Sequence, residues 1–263
     1  MSRYFSYPNT SFVEYGSQSP FPHALITGSW DESLLSRCAQ EVDKFEHWDG
    51  EKSFYAAEKK RYCSNWSRLP PSVGDLLLEA SKPEFLCWLE NLTNEKGLIP
   101  DPYLRGGGIH SVGKDGFLKV HADFNWHEEL KLYRRLNLLL YLNREWQPIW
   151  GGELELWSRD LKRCVKTIQP LFNTMVIFTT DDKSYHGHPQ PLKSPEGITR
   201  NSLALYYYSA KKPLKNYYFS RISTDYKPVS GDTFSADSWV TKCFSNSKIF
   251  RALRLFIKKS TER

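Results

Sequence analysis

His121 and Asp123 stand two positions apart in Val120-His121-Ala122-Asp123, and further along the chain reads Tyr185-His186-Gly187-His188-Pro189. On a strand, side chains two apart point to the same face, so His121 and Asp123 can share one ion. The third ligand comes from elsewhere, and either His186 or His188 can supply it. Two imidazoles and one carboxylate on one side of an octahedral ion leave its other positions open, an arrangement suited to Fe(II) oxygen chemistry. Arg200 lies 14 positions after His186, in Thr199-Arg200-Asn201-Ser202. Its guanidinium can clamp a carboxylate bidentately while the metal holds the far end of the same molecule. Ser202, two positions on, adds a hydroxyl on the same face.

These residues need strands to position them, and the second half of the chain supplies them. Ile109–Val112, Phe117–His121, Leu136–Leu142, Gly152–Trp157, Lys162–Ile168, Thr174–Phe178 and Ser202–Tyr208 are short runs rich in β-branched, aliphatic or aromatic residues. Gly, Pro, Asn and Asp separate them. Gly113-Lys114-Asp115-Gly116 reads as a hairpin turn between the first two. Asn137 and Tyr141 share a face of their strand and are candidates to line a pocket.

The first half reads differently. Residues 1–20 form an irregular arm, and Pro22–Thr27 a short strand. Ser29 and Glu32 have capping-box spacing, and Leu34, Leu35, Cys38, Val42 and Phe45 then recur at helical intervals, which predicts a helix over about 31–46. Residues 47–70 are mixed and charged and end in Leu69-Pro70-Pro71, so they read as loop. Two more helical segments follow, near 72–80 and 82–93. Helices first and about eight strands after them imply a mainly β chain with flanking helices (α+β), a barrel or sandwich backed by an N-terminal helical support region. The expected division is a helical support over 1–99, a catalytic core over 100–210, and an irregular segment with a basic helix over 211–263.

Composition narrows the classes. Apolar residues make up 40% and charged residues 25% of the 263, ordinary for a globular domain. The formal net charge is +6, and the segment from Lys242 onward, with seven basic side chains against Glu262, holds all of that excess. The near-neutral remainder argues against a nucleic-acid-binding body. The basic C-terminal helix reads as packed on the body with its charges in water, with peripheral contact to an anionic surface as the second reading. Five scattered cysteines without a C-x-x-C pair form neither a disulfide frame nor a zinc knuckle. No apolar run is long enough to cross a bilayer and no apolar leader opens the chain, so a cytoplasmic location is expected. Gly106-Gly107-Gly108 is followed by neither G-K-[ST] nor a helix start, which argues against a phosphate loop.

Taken in order, Phe117–Asn125, Arg135–Asn143, Gly151–Trp157 and Tyr185–Pro189 with Arg200 resemble the Fe(II)- and 2-oxoglutarate-dependent dioxygenases, in the branch related to prolyl 4-hydroxylases. The resemblance covers roughly 100–210. It implies a double-stranded β-helix (jelly-roll) core, with iron ligands at His121, Asp123 and His186. It also implies that Arg200 holds the distal carboxylate of 2-oxoglutarate, and that O2 is the second co-substrate. It selects His186 over His188 because the first histidine of H-x-H-P is the family's ligand. The strand before H-x-D departs from the pattern. Many prolyl hydroxylases carry there a Tyr that touches 2-oxoglutarate, whereas this chain has Ile109-His110-Ser111-Val112, so His110 or Ser111 takes its place.

The implied activity is hydroxylation of an unactivated C–H in a small-molecule or peptidyl substrate, with release of succinate and CO2. Two other readings compete. A non-catalytic jelly-roll module that binds a metal or small molecule would have no need for all four of His121, Asp123, His186 and Arg200. A zinc hydrolase lacks an evident general base and leaves Arg200 unexplained.

Overall fold

Strand pairing runs through the described chain from His23 to Tyr226, and it is antiparallel throughout the main sheet. A computed structural model describes residues 3–9, 11–213 and 220–229. The expected basic helix lies outside the described residues. The chain divides into a unit spanning Met1–Lys227, which holds every element named below, and a second spanning Pro228–Arg263. Four helices, α1 (Phe12–Gly16), α2 (Glu32–Asp43), α3 (Pro71–Glu79) and α4 (Pro83–Thr93), belong to the N-terminal third. The first five strands are β1 (His23–Thr27), β2 (Gly50–Phe54), β3 (Ala57–Cys63), β4 (Ile99–Pro100) and β5 (Gly108–Ala122). After them come β6 (Trp126–His127), β7 (Leu132–Tyr141), β8 (Leu154–Trp157) and β9 (Cys164–Ile168). The last four are β10 (Thr174–Thr179), β11 (His186–His188), β12 (Arg200–Ser209) and β13 (Asp225–Tyr226).

The main sheet runs β1-β10-β7-β12-β5-β11-β8-β9 and curls into a jelly-roll, the mainly β architecture with flanking helices that the sequence implies. Its central strands are covered on both faces, and the period of two sorts their residues. On β12, Leu203, Leu205 and Tyr207 face the helices. Ala204, Tyr206 and Tyr208 face inward with Phe124. On β7, Leu136, Leu138 and Leu140 join the helix-side core. Asn137, Leu139 and Tyr141 take the other face, as alternation requires.

The helices start where their sequences dictate. Asp31 caps α2 by accepting from the Leu34 N–H at 2.8 Å, so the cap is Asp31 rather than the Ser29–Glu32 pair. Pro71 and Pro83 occupy the first turns of α3 and α4, where a missing N–H costs nothing. The helices dock through an aromatic cluster. Phe85 packs against Phe5 at 4.9 Å, Trp88 at 5.3 Å and Trp30 at 5.7 Å, and stacks on Tyr207 of β12 at 6.5 Å. The Tyr207 hydroxyl donates to the Ala80 carbonyl at 3.0 Å, so it is satisfied within the apolar contact.

Two expectations need correction. Residues 47–70 are not all loop: they contain the hairpin β2–β3, whose second strand pairs with β5 over Ala57–Cys63. It lacks an apolar alternation because most of β2 is exposed, so backbone pairing to β5 makes it a strand rather than a buried face. Gly113–Gly116 is not a hairpin turn either. The chain keeps its direction through β5, and the residues from Val112 to Phe117 bulge out opposite Lys59, where the register with β3 shifts. Asp115 there has a φ of 62° and donates its N–H to the Leu192 carbonyl at 2.8 Å, which pins the bulge.

Because Phe85 is fully buried and touches both helix and sheet partners, Phe85→Ala is expected to cost about 3–5 kcal/mol of folding stability. Urea unfolding measures this, and a loss below ~1 kcal/mol would show that the support helices are not held by this cluster.

Candidate active site

The ladder positions of β11 and β13 beside β5 decide which side chains meet. His186 pairs with His121 across β5–β11, and Tyr226 pairs with His121 from the other side. Neighbours on one rung share a face, so the three rings line up: His121 and His186 lie 4.4 Å apart, and His121 and Tyr226 5.5 Å. Asp123, two residues from His121, projects beside them. The ligand atoms of His121, Asp123 and His186 all lie within 4.8 Å of one another, and all three side chains are buried. Gly187 makes the close approach of β11 to β5 feasible, since a Cβ there would lie 2.9 Å from the Leu118 and Lys119 carbonyl oxygens.

Both histidines are oriented through the backbone. The Nδ1–H of His121 donates to the Lys119 carbonyl at 2.7 Å, and that of His186 to the Ser184 carbonyl at 2.9 Å. Each ring therefore presents its Nε2 lone pair toward Asp123. The Nε2 atoms stand 3.6 Å and 3.4 Å from the carboxylate oxygens, too long for good hydrogen bonds. Three donor atoms that converge without bonding one another are a set that a cation fits. Burial, and then the neighbouring His186, lower the His121 pKa and favour the neutral ring that a metal requires.

Asp123 is held by Asn137, which spacing placed on the pocket face, and by Arg134, which spacing does not reveal. Arg134 on β7 donates from Nη2 to Asp123 Oδ2 at 3.0 Å, and Asn137 Nδ2 donates to the same oxygen at 2.6 Å. Arg134 Nε (2.7 Å) and the Thr180 hydroxyl (3.1 Å) both donate to Asn137 Oδ1 and fix the amide. The fully buried guanidinium sits between the rings of Phe124, at 4.7 Å, and Tyr206, at 3.3 Å. Burial alone would raise the Asp123 pKa; the Arg134 guanidinium outweighs it and holds the carboxyl well below its usual range.

Arg200 begins β12 and is also aimed. Its Nε donates to the Gly152 carbonyl at 2.7 Å and its Nη2 to the Tyr141 hydroxyl at 3.2 Å. Gly152 has a φ of +78°, and a Cβ there would meet Leu192 at 2.5 Å and Arg200 Cδ at 3.1 Å, so only glycine lets the arginine pass. Ser202 pairs with both His110 and Tyr141, which puts all three on the rung next to Arg200. Arg200, Ser202, His110, His188 and Asn137 line one cavity with His121, Asp123 and His186. Tyr141 supports Arg200 from beneath.

His188 stands outside the converging trio. It lines the same cavity, its Nδ1 has no hydrogen-bond partner among the described residues, and burial and then Arg200 push its pKa well below the usual value. His110 is likewise held neutral, by burial and then by Lys60. Trp126 packs on Tyr133 and Trp150 on Trp146, and neither lines the cavity.

The mouth is built by segments that the sequence did not mark. Phe54, at the end of β2, lies 5.7 Å from Tyr226, and Tyr55 beside it 6.3 Å. Arg221 anchors the segment carrying Tyr226 by pairing with Asp182 and Asp225, both at 3.2 Å. Lys52 and Lys60 of the hairpin also line the cavity.

A model of the 2OG-Fe(II) oxygenase superfamily matches residues 107–208, the stretch that carries all of these ligand candidates. A comparison with curated protein sequences finds no match. Among solved structures, the chain is similar to a prolyl hydroxylase from Trichoplax adhaerens in complex with a hypoxia inducible factor peptide fragment. That match has 15% identity and a TM-score of 0.55 over 76% of this chain and 88% of that one. A Pseudomonas putida prolyl-4-hydroxylase matches at 16% identity and a TM-score of 0.50, covering 71% and 92%. HygX from Streptomyces hygroscopicus, with nickel and 2-oxoglutarate bound, matches at 14% and 0.50, covering 78% and 92%. At these identities the likeness is one of fold.

Arg134→Met leaves the Asp123 charge buried without its partner and is expected to cost about 3–5 kcal/mol in urea unfolding. A cost below ~1 kcal/mol would mean that the pair does not hold the carboxylate in place.

Proposed function

We propose that this chain, a member of the 2OG-Fe(II) oxygenase superfamily through residues 107–208, hydroxylates an unactivated C–H of a small-molecule or peptidyl substrate and releases succinate and CO2. The observation that carries this reading is the pairing of two sites in one cavity. The converging His121, Asp123 and His186 suit a divalent metal, and an aimed Arg200 suits a carboxylate. A metal-binding module without turnover gives no reason for the second site. The Trichoplax neighbour, whose structure includes a peptide, keeps a peptidyl substrate within this reading.

His121 Nε2, His186 Nε2 and one Asp123 oxygen would hold Fe(II), leaving the cavity side of the ion open. Bound there with 2-oxoglutarate and O2, iron supplies the oxidising power that inserts oxygen into a C–H as the co-substrate loses CO2. Everything else is the protein's work. The Lys119 and Ser184 carbonyls keep the imidazole protons on Nδ1, so the coordinating nitrogens stay unprotonated. Arg200, braced by Gly152 and Tyr141, receives the distal carboxylate of 2-oxoglutarate, and Ser202 adds a donor. Neutral His110 stands near the place where prolyl hydroxylases carry a Tyr, and its ring can donate to the same carboxylate. Phe54, Tyr55 and Tyr226 close the mouth over His121 and keep water from the reacting C–H.

The test is succinate release from 2-oxoglutarate, measured with and without Fe(II) and O2. Wild type is expected to depend on both, and His121→Ala and Asp123→Ala to lower the rate at least ~100-fold through loss of the metal. Arg200→Met is expected to raise the KM for 2-oxoglutarate roughly 100-fold, about 3 kcal/mol, with a smaller change in kcat. Succinate release that survives His121→Ala and Asp123→Ala would sink the reading.

A further inference from the structure

The strand register places three cations on one rung of the sheet. Lys52 of β2 pairs with Lys60 of β3, Lys60 pairs with Val112 of β5, and Val112 pairs with Arg200 of β12. Side chains on one rung share a face, and Lys52, Lys60 and Arg200 all line the cavity. Asp123 is the sole carboxylate among the described lining residues, and Arg134 already holds it. Neither lysine makes an ion pair with a described carboxylate; Lys52 lies over the Tyr62 ring at 5.4 Å.

Folding does not account for this placement. Like charges directly opposite on paired strands destabilise the sheet, and a partly buried ammonium without a counter-ion adds a desolvation cost. Burial, and then Lys52, push the Lys60 pKa down to about 7, a sign of how poorly its surroundings tolerate its charge. An anion seated between the two lysines would reverse both costs.

The co-substrate does not supply that anion. 2-Oxoglutarate carries two carboxylates; the metal would take one and Arg200 the other. Its two negative charges balance the two positive charges of the metal, so both lysines stay uncompensated after loading. The hairpin that bears them also carries Phe54 and Tyr55, which pack against the cavity-lining Tyr226.

We propose that Lys52 and Lys60 form a substrate-recognition site for an anionic group, and that the substrate of this oxygenase carries a carboxylate or phosphate. This inference rests on the 2-oxoglutarate reading of the cavity and names the substrate class within it. Val112 stands between Lys60 and Arg200, so their Cα atoms are roughly 10 Å apart across two strand spacings. That distance separates the two anion sites while both stay on the lining of one cavity.

The test uses the Ni(II)-loaded, 2-oxoglutarate-loaded protein, titrated with methyl phosphate, acetate and neutral acetamide, alongside the same titrations of the protein without metal or 2-oxoglutarate. Wild type is expected to bind methyl phosphate or acetate but not acetamide, and the stronger of the two anions tells phosphoryl from carboxyl recognition. The double variant Lys52→Met/Lys60→Met is expected to weaken that anion at least tenfold, and Lys60→Arg to keep it within threefold. In the double variant, in Lys60→Arg and in the single variant Lys60→Met the affinity for 2-oxoglutarate stays within threefold of wild type. Thermal unfolding of the double variant is expected to be unchanged or raised, because the opposed charges are gone, so lost binding cannot be ascribed to misfolding.

Anion affinity equal in wild type and the double variant, or no anion binding at all, would overturn the proposal. A tenfold or greater loss of 2-oxoglutarate affinity in Lys60→Met, matching that of Arg200→Met, would overturn it too, by placing the lysine in the co-substrate site. Failure of wild type to bind 2-oxoglutarate while lysine-dependent anion binding persists would support the anion site and overturn the oxygenase reading.

Discussion

The buried ion pair between Asp123 and Arg134 is the constraint on which the rest of this structure depends. A carboxylate at the centre of a closed sheet cannot stay ionised without a partner, and a buried guanidinium cannot stay there without one either. Each supplies what the other requires. The pair ties together β5, which leads into Asp123, β7, which carries Arg134 and Asn137, and β12, whose Tyr206 covers the guanidinium. Such a pair adds little net stability, because desolvation offsets most of its attraction. Its contribution is position: a negative charge fixed beside two imidazoles whose coordinating nitrogens are already turned toward it.

The sheet then acts as a ruler. Its rungs bring His186 and Tyr226 alongside His121, and place His110 and Tyr141 alongside Ser202. One rung away, Arg200 and the two lysines line up around Val112. The inner face thereby sets three groups of polar side chains in adjacent strips, while the outer face of β7, β10 and β12 is given over to apolar contact with the helices. That division explains why β12 is buried along its whole length yet carries an arginine and a serine.

Much of this was legible in the residues. Period-two alternation placed His121 and Asp123 on one face, helical spacing found α2, α3 and α4, and turn residues separated most strands. The ambiguity between His186 and His188 could not be resolved by spacing, because both lie on the same face of a short strand; the register opposite His121 separates them in space. Arg134 stayed hidden within the charged run Tyr133-Arg134-Arg135, where only tertiary packing distinguishes the buried arginine from the one that pairs with Glu95 at the surface. The β2–β3 hairpin has no apolar stripe to announce it. Net charge also misled: a near-neutral body conceals local clusters, and summing over the chain averages Lys52, Lys60 and Arg200 away.

The central claim is that His121, Asp123 and His186 bind one iron and that Arg200 completes a chelating site for 2-oxoglutarate. X-ray absorption on the anaerobic Fe(II) protein, recorded before and after 2-oxoglutarate is added, tests it most directly. The account predicts one six-coordinate Fe(II) per chain with scattering from two imidazoles and no sulfur ligand, and a change in the iron environment on adding 2-oxoglutarate that Arg200→Met shifts to far higher co-substrate concentration. Iron bound without imidazole scattering, or an iron environment indifferent to 2-oxoglutarate, would contradict it.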